Sequence, residues 1–371
     1  MKKLYSLTLM ALLVLSIMPV ISANSIGSGL GINVETEDFP PLVWMCGDRI
    51  VSDDSTEPGR FSLGGTPLLE RINNYAFEGE SIEWTVLVMD KNGANKIQDV
   101  FATIGDSQGE GNDIEVNCVE NTGYSPVVDG DCNARILEED LTGDAIDIAG
   151  QNVMAYYTCT LTVETADSMY GEYWTTVEAI DLDGLSGTMD ENEYWFLNPV
   201  IALNVDGELA FENVRPGTMS YSDTILLGNE ADAGSGVMLD MFISGTDFYD
   251  SSSSGAMCPT SNVLDLEQFA YFATSGAYST KDDAEVDSAG TVVRDCDAKG
   301  YCNIEYGLGF NNPTPFYDDT EIIQAQPVGP YWTANVLAPG AEMAITFRLN
   351  LPEPCNGDFD SGQIYFWGEA I

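Results

Sequence analysis

The chain has 371 residues, 60 of them Asp or Glu against 13 Lys or Arg, for a formal net charge of −47 with no histidine. So acidic a surface repels phosphate backbones and anionic lipid, which excludes nucleic acid as a partner. The missing imidazole removes Ser-His-Asp and Cys-His catalysis and every His-containing zinc site.

Lys2 and Lys3 precede an almost wholly apolar run from Leu9 to Val20, and Ile21-Ser22-Ala23 fits a small-residue cleavage site. Residues 1–23 read as a secretory signal peptide, because the run is shorter than the ~20 residues a spanning helix needs. The mature chain is expected to be secreted, extracellular or at the cell surface, with no membrane insertion. Hydrophobic residues make up 44%, enough for buried cores, and the length leaves room for two or three domains at roughly 100–200 residues each.

Residues 24–39 form an N-terminal extension. Ile26, Ser28, Leu30, Ile32 and Val34 share one parity, and Gly27, Gly29, Gly31 and Asn33 the other. This is strand alternation with one bare face, which weakens an isolated strand but permits close approach of another backbone. A linker or a first strand of the local sandwich fits it. So does a strand donated to a neighbouring subunit, in which Ile26, Leu30, Ile32 and Val34 would make the assembly contacts.

Residues 40–199 are predicted to form an immunoglobulin-like β-sandwich. Pro40 to Cys46 opens it, and Ile82, Trp84, Val86 and Val88 alternate with Glu83 and Thr85 as a half-buried strand. Asp90-Lys91-Asn92-Gly93 turns into a return strand from Ile97 to Ile104, and Ile114 to Val119 is a short strand. ILEEDL, residues 136–141, is the one plausible helical turn. Tyr157, Cys159, Leu161 and Val163 alternate with Thr158, Thr160 and Thr162, one face apolar and the other hydroxylated. Tyr173 to Ile180 runs into an Asp181-Leu182-Asp183-Gly184 turn, and Tyr194 to Pro199 closes the domain.

Residues 200–371 are predicted to form a second sandwich. Ile201, Leu203 and Val205 alternate up to Asp206-Gly207, and Leu209 and Phe211 continue the alternation, so the stretch reads as a hairpin around a tight turn. Val237, Leu239, Met241 and Ile243 alternate, and Leu264 to Ala273 is a strand or a short helix. An acidic loop covers residues 279–303, Met343, Ile345, Phe347 and Leu349 oppose Ala344, Thr346 and Arg348, and Gln363 to Trp367 is the last strand. The fold class is therefore all-β, two tandem immunoglobulin-like sandwiches after a signal peptide.

Eight cysteines, Cys46, Cys118, Cys132 and Cys159, then Cys258, Cys296, Cys302 and Cys355, divide four and four around Val200. An even count behind a signal peptide implies disulfides formed in an oxidising exterior. Each set of four allows three pairings. Closeness in sequence favours Cys118–Cys132 and Cys296–Cys302, which would leave Cys46–Cys159 and Cys258–Cys355.

Asp181, Asp183, Asp190 and Glu191 crowd one hairpin turn, yet an EF-hand loop from Asp181 would meet Leu185, Ser186 and Asn192 where it needs an oxygen ligand, Gly and Glu. Irregular Ca²⁺ binding and plain solvated carboxylates are the two readings. No cofactor is required. Among so many acids a glycosidase-like carboxylate pair has no specificity, so no enzyme is expected. Trp44, Trp174, Trp195, Trp332 and Trp367 fit core positions better than sugar platforms.

Residues 209–229, LAFENVRPGTMSYSDTILLGN, and the later LAPGAEMAITFRLNLP resemble secreted sandwich proteins of the camelysin/TasA type and related archaeal pilus subunits. The DKNG and DLDG hairpins of the first half look like surface immunoglobulin-like modules of archaeal secreted proteins. The resemblance implies a filament in which each N-terminal strand completes the next subunit's sandwich. This chain departs from it by placing a whole disulfide-bearing domain between the candidate strand and the similar portion. The expected function is a non-enzymatic structural subunit of a surface layer or filament, partnered by itself or other surface proteins; a carbohydrate- or cell-binding adhesin is the alternative.

Overall fold

A computed structural model of the chain describes residues 32–53, 65, 67–68, 71–107, 114–123, 127–132, 152–189, 193–252, 255–282, 296–307, 320–328 and 331–371. The signal-peptide segment, Ile26, Leu30, residues 136–141, Asp190 and Glu191 lie outside them. The chain divides into two compact units, Met1–Asp38 and Phe39–Ile371. In the first, residues 32–38 carry no regular hydrogen-bonded structure and are exposed throughout.

The second unit begins with β1 (Leu42–Ser52), β2 (Tyr75–Ala76), β3 (Ser81–Met89), β4 (Ile97–Gly105), β5 (Ile114–Glu120), β6 (Met154–Thr162), β7 (Gly171–Asp181), β8 (Ser186–Thr188) and β9 (Glu193–Leu197). These make one nine-stranded sheet in the order β1-β3-β6-β5-β4-β7-β9-β2, with β8 beside β7. Its two layers join through β5. Ile114 to Asn117 pair with β4, and Cys118 to Glu120 pair with β6. The inward parity of both layers fills one core, with Ile82, Trp84, Val86 and Val88 facing Val100, Ala102, Val177 and Ala179. At the open end β8 closes on β1, and so tightly that a Cβ on Gly187 would lie 1.7 Å from the Pro41 carbonyl oxygen.

The outer face of the β1-β3-β6 layer is also dry. Trp44, Cys46, Leu87, Met89, Met154 and Tyr156 form a second small core with Val128 and Cys132 of the 127–132 segment, which lies over them. This explains the disulfides. Cys118 and Cys159 are cross-strand partners turned toward the main core, and they bond to each other. Cys46 has the opposite parity and bonds Cys132 on the outer face. The expected pairs Cys118–Cys132 and Cys46–Cys159 would each need to pass through the sheet. Cys258–Cys355 and Cys296–Cys302 form as expected.

The rest of the chain adds β10 (Leu203–Asp206), β11 (Met219–Asn229), β12 (Leu239–Gly245), β13 (Phe248–Tyr249), β14 (Val263–Leu264), β15 (Phe269–Ser275), β16 (Tyr278–Ser279) and β17 (Cys302–Asn303). It ends with β18 (Pro327–Val328), β19 (Tyr331–Trp332), β20 (Val336–Leu337), β21 (Glu342–Asn350) and β22 (Ile364–Ala370). A six-stranded sheet, β10-β11-β21-β15-β16 with β17 on β15, faces a three-stranded sheet, β20-β12-β22. Ile225, Leu227, Tyr271, Met343, Ile345 and Phe347 meet Leu239, Met241, Ile243 and Leu337 in their shared core. The molecule is all-β, as the alternation requires.

Two local readings change. Leu203–Asp206 pairs with Leu226–Asn229 of β11 and not with residues 209–212, so the expected hairpin does not form. Asp206-Gly207 does turn the chain, with Gly207 at φ 128°, but the stretch beyond it is a coil whose Leu209, Phe211 and Val214 pack onto the core shared by the six- and three-stranded sheets. Leu264 to Ala273 resolves into β14, a short 3-10 turn at Leu266–Gln268, and β15.

The two sandwiches meet through buried contacts. Tyr75 is fully buried within the core of the second sandwich, and its hydroxyl donates to the Ile371 carbonyl at 2.5 Å. Arg71 stacks 4.3 Å over the Tyr75 ring and pairs with Glu80 at 2.8 Å, both side chains almost wholly buried. Asn198, at φ 50°, sits in the left-handed region that Asn tolerates. Its side-chain amide donates to the Glu164 and Met169 carbonyls and so fixes the exit from β9.

Candidate functional site

The acidic turn cluster is a closed structural unit among the described residues. Asp181 is buried at the end of β7, and one of its carboxylate oxygens accepts the Asp183 and Leu185 N–H groups at 2.9 and 2.8 Å. Asp183 pairs with Lys96 at 2.9 Å, and the Lys96 carbonyl accepts the Leu182 N–H. The segment after the DKNG turn thus meets the DLDG turn through Lys96. Burial pushes the Asp90 carboxyl up, against the Asn92 N–H that pulls it down, and the Asp181 charge adds to the rise. No group of three or more metal-ligating side chains occurs among the described residues. The structure brings Asp181 and Asp183 together; Asp190 and Glu191 lie outside what it describes.

Of the four assembly residues, Ile32 and Val34 are described, at 85% and 75% exposed. These two apolar side chains stand largely in water, on a segment without regular hydrogen-bonded structure.

The second sandwich carries a groove of about 490 Å³ at the end where β15 begins and β21 finishes, within the range of roughly 300–1,000 Å³ typical of ligand pockets. The 209–216 coil forms one wall and residues 355–360 the other. Phe211 and Phe248 flank Phe269 on the floor, with ring centroids 5.8 and 4.7 Å away. Asp358 and Asp360 stand at the rim. Asp360 accepts the Ser251 N–H and hydroxyl, both at 2.8 Å, and the backbone bond leads in holding its carboxyl below the usual range. The groove has an aromatic floor between walls that also carry Asn213, Asn356, Asp358 and Asp360. Its walls come from segments some 140 residues apart, and the coil wall is the stretch that reads as a strand in sequence, so no local signal marks it.

The outer face of the six-stranded sheet carries a third feature. Arg348 on β21 points away from the core, opposite Phe347. Its guanidinium lies 4.5 Å from the Tyr301 ring centroid and hydrogen-bonds the Asp297 carboxylate. Tyr301 stands between Tyr221 of β11 and Phe272 of β15, at 5.8 and 5.7 Å. The Cys296–Cys302 bridge closes the loop that presents Asp297 and Tyr301. Partial burial raises the Asp297 carboxyl, but the Arg348 bond and the Tyr301 and Lys299 N–H groups outweigh it and hold it low. The parity of Arg348 is legible in sequence; its aromatic neighbours, from three distant segments, are not. Of the tryptophans, Trp44 and Trp195 are core, while Trp174 is half-buried on an outer face against Tyr194 at 5.5 Å.

No family model matches the chain, and no curated protein matches it. Among solved structures, it is similar to the C-terminal domain of the Streptococcus agalactiae antigen I/II polypeptide BspA, at 10% identity and a TM-score of 0.29, over 90% of this chain and 97% of that one. The C-terminal domain of the Streptococcus pyogenes antigen I/II-family protein AspA gives 10% and 0.31 over the same shares. A chaperone–tip adhesin complex of CFA/I fimbriae gives 7% and 0.22, over 90% and 92%. Overlap at this level defines neither a strand order nor a site, and the camelysin/TasA resemblance rests on its quoted residues alone.

Proposed function

We propose that the protein is a non-enzymatic extracellular structural protein, a subunit of a surface layer or filament that assembles by inserting its N-terminal segment into the next copy. The observation that carries this reading is the exposed stretch 32–38, with Ile32 and Val34 at 85% and 75% exposed. Side chains of this kind become stable only by burial, at about 25 cal/mol per Å² of apolar surface removed from water. The groove in the second sandwich offers such burial on its aromatic floor. Its acidic rim accepts a segment with no charge before Glu35 more readily than an acidic one. The four disulfides suit an oxidising exterior, and the lack of any histidine withholds the commonest general base.

Truncation tests the assembly mechanism. Mature protein lacking residues 24–36 should remain monomeric by light scattering and electron microscopy where the full mature chain polymerises; equal polymerisation of both would sink it. A carbohydrate- or cell-binding adhesin is the second reading, favoured by the aromatic outer face of the six-stranded sheet.

A further inference from the structure

We propose that this outer face is a binding site for neutral carbohydrate, built from Tyr221, Phe272, Tyr301, Arg348, Asp297 and Thr346. The inference rests on the adhesin reading and is independent of whether the chain polymerises.

The outer face of a half-buried sheet is ordinarily polar, and Thr224 and Thr346 keep to that rule, their hydroxyls 3.5 Å apart. Three aromatic rings beside them break it. Tyr221 is 49% exposed, so it contributes little to the core it stands over. Tyr301 is set on its loop by more than the disulfide. The Gly300 carbonyl accepts the Thr280 hydroxyl at 2.6 Å, and Asp297 accepts the Lys299 and Tyr301 N–H groups at 2.8 and 3.1 Å. The result is a preorganised aromatic platform, which lowers the ordering cost of binding.

The chemistry of this platform selects its ligand. The C–H face of a pyranose ring is apolar and flat, and it stacks on an aromatic face while its hydroxyls project sideways. The Arg348 guanidinium, paired with Asp297, covers the Tyr301 ring and leaves the exposed ring of Tyr221, its cross-strand neighbour, as the stacking face, with the side chains of the pair 18% and 39% exposed beside it. An Arg fork offers five donors and a carboxylate about four acceptor positions, so the pair can serve a hydroxyl as both acceptor and donor. Within the pair the two charges offset each other, and around it the chain's net charge of −47 repels sulfated, uronic or sialylated glycans. A neutral sugar is the ligand that satisfies both the stacking surface and the field.

The test uses the full mature chain with its disulfides intact, probed by affinity electrophoresis in gels containing soluble mannan, dextran or xyloglucan, with chondroitin sulfate as the acidic control. Binding to whole cells is measured in parallel. Retardation by at least one neutral polysaccharide is expected, weakened about tenfold or more, some 1.4 kcal/mol, in both Tyr221→Ala and Arg348→Ala. Trp174→Ala, at the aromatic pair of the other sandwich, should bind as wild type. Arg348→Ala can loosen the loop, so Tyr221→Ala decides, with an unchanged thermal melt as its control. Retardation that survives Tyr221→Ala, or retardation by chondroitin sulfate alone, would overturn the proposal. Cell binding that none of the neutral polysaccharides competes would leave the adhesin reading standing and remove the sugar site; no binding to cells or polysaccharides would remove both.

Discussion

Asp240 sits in the middle strand of the three-stranded sheet at 5% exposed, on the face turned away from the core, where it accepts the Asn335 amide at 2.7 Å. Burial is the chief cause that raises its carboxyl to about 7; the Asn335 bond opposes the rise, and Glu369, its cross-strand partner, adds to it. The sign follows from linkage. A carboxyl whose pKa is higher in the folded state binds its proton more tightly there, so folding is favoured below the unfolded pKa near 4. That advantage is lost as pH rises toward 7, at up to roughly 1.4 kcal/mol per pH unit. Asp240→Asn keeps an acceptor for Asn335 and cannot ionise. Urea melts of wild type and Asp240→Asn from pH 4 to 8 should converge at the acid end and separate above it, with the variant more stable at pH 8. Parallel curves would mean that Asp240 does not titrate in this window.

Among the elements, the disulfides are ordered by the loops they close. Cys46–Cys132 spans 86 residues and Cys296–Cys302 spans 6. Loop-closure entropy gives about 4–5 kcal/mol for the first and about 2 kcal/mol for the second. The longer bridge also holds the 127–132 segment over Trp44 and Leu87, so its loss wets a second core as well. Chemical denaturation of the Cys46→Ala/Cys132→Ala and Cys296→Ala/Cys302→Ala variants should show the larger loss in the first; a larger loss in the second would refute the ordering. The same elements show what was legible beforehand. Strands such as Ile82 to Val88 and Met343 to Leu349 announce themselves because period-two alternation is local. The partner of a strand is not local. Asp206-Gly207 marks a turn correctly, yet β10 pairs with Leu226–Asn229 while Phe211 buries without a strand. Cysteine pairing fails for the same reason, since the parity separating Cys46 from Cys159 has meaning only once β1, β3 and β6 lie side by side. The aromatic platform and the groove are assembled from segments of β11, β15, β21 and a distant loop, so their residues look unremarkable in line.

For the whole molecule, electrostatics sets the working conditions. Four ion pairs among the described residues, Arg49–Glu193, Arg71–Glu80, Lys96–Asp183 and Arg348–Asp297, already engage four of only 13 basic side chains. The 60 carboxylates carry far more negative charge than 13 basic side chains can offset in ion pairs. Their repulsion opposes compaction and also opposes approach of a second copy, so both folding and self-association should strengthen with salt. The Debye length falls from about 30 Å at 0.01 M to about 3 Å at 1 M, which removes most of the repulsion between separated surface charges. The melting temperature, followed by circular dichroism, should accordingly climb through that range. Comparing NaCl with CaCl₂ at equal ionic strength separates screening from a Ca²⁺ site. Asp181 already accepts two backbone N–H groups and Asp183 holds Lys96, so equal shifts in the two salts are expected. An extra increment in CaCl₂ that chelator abolishes, and that Asp190→Asn or Glu191→Gln removes, would instead assign Ca²⁺ to that turn.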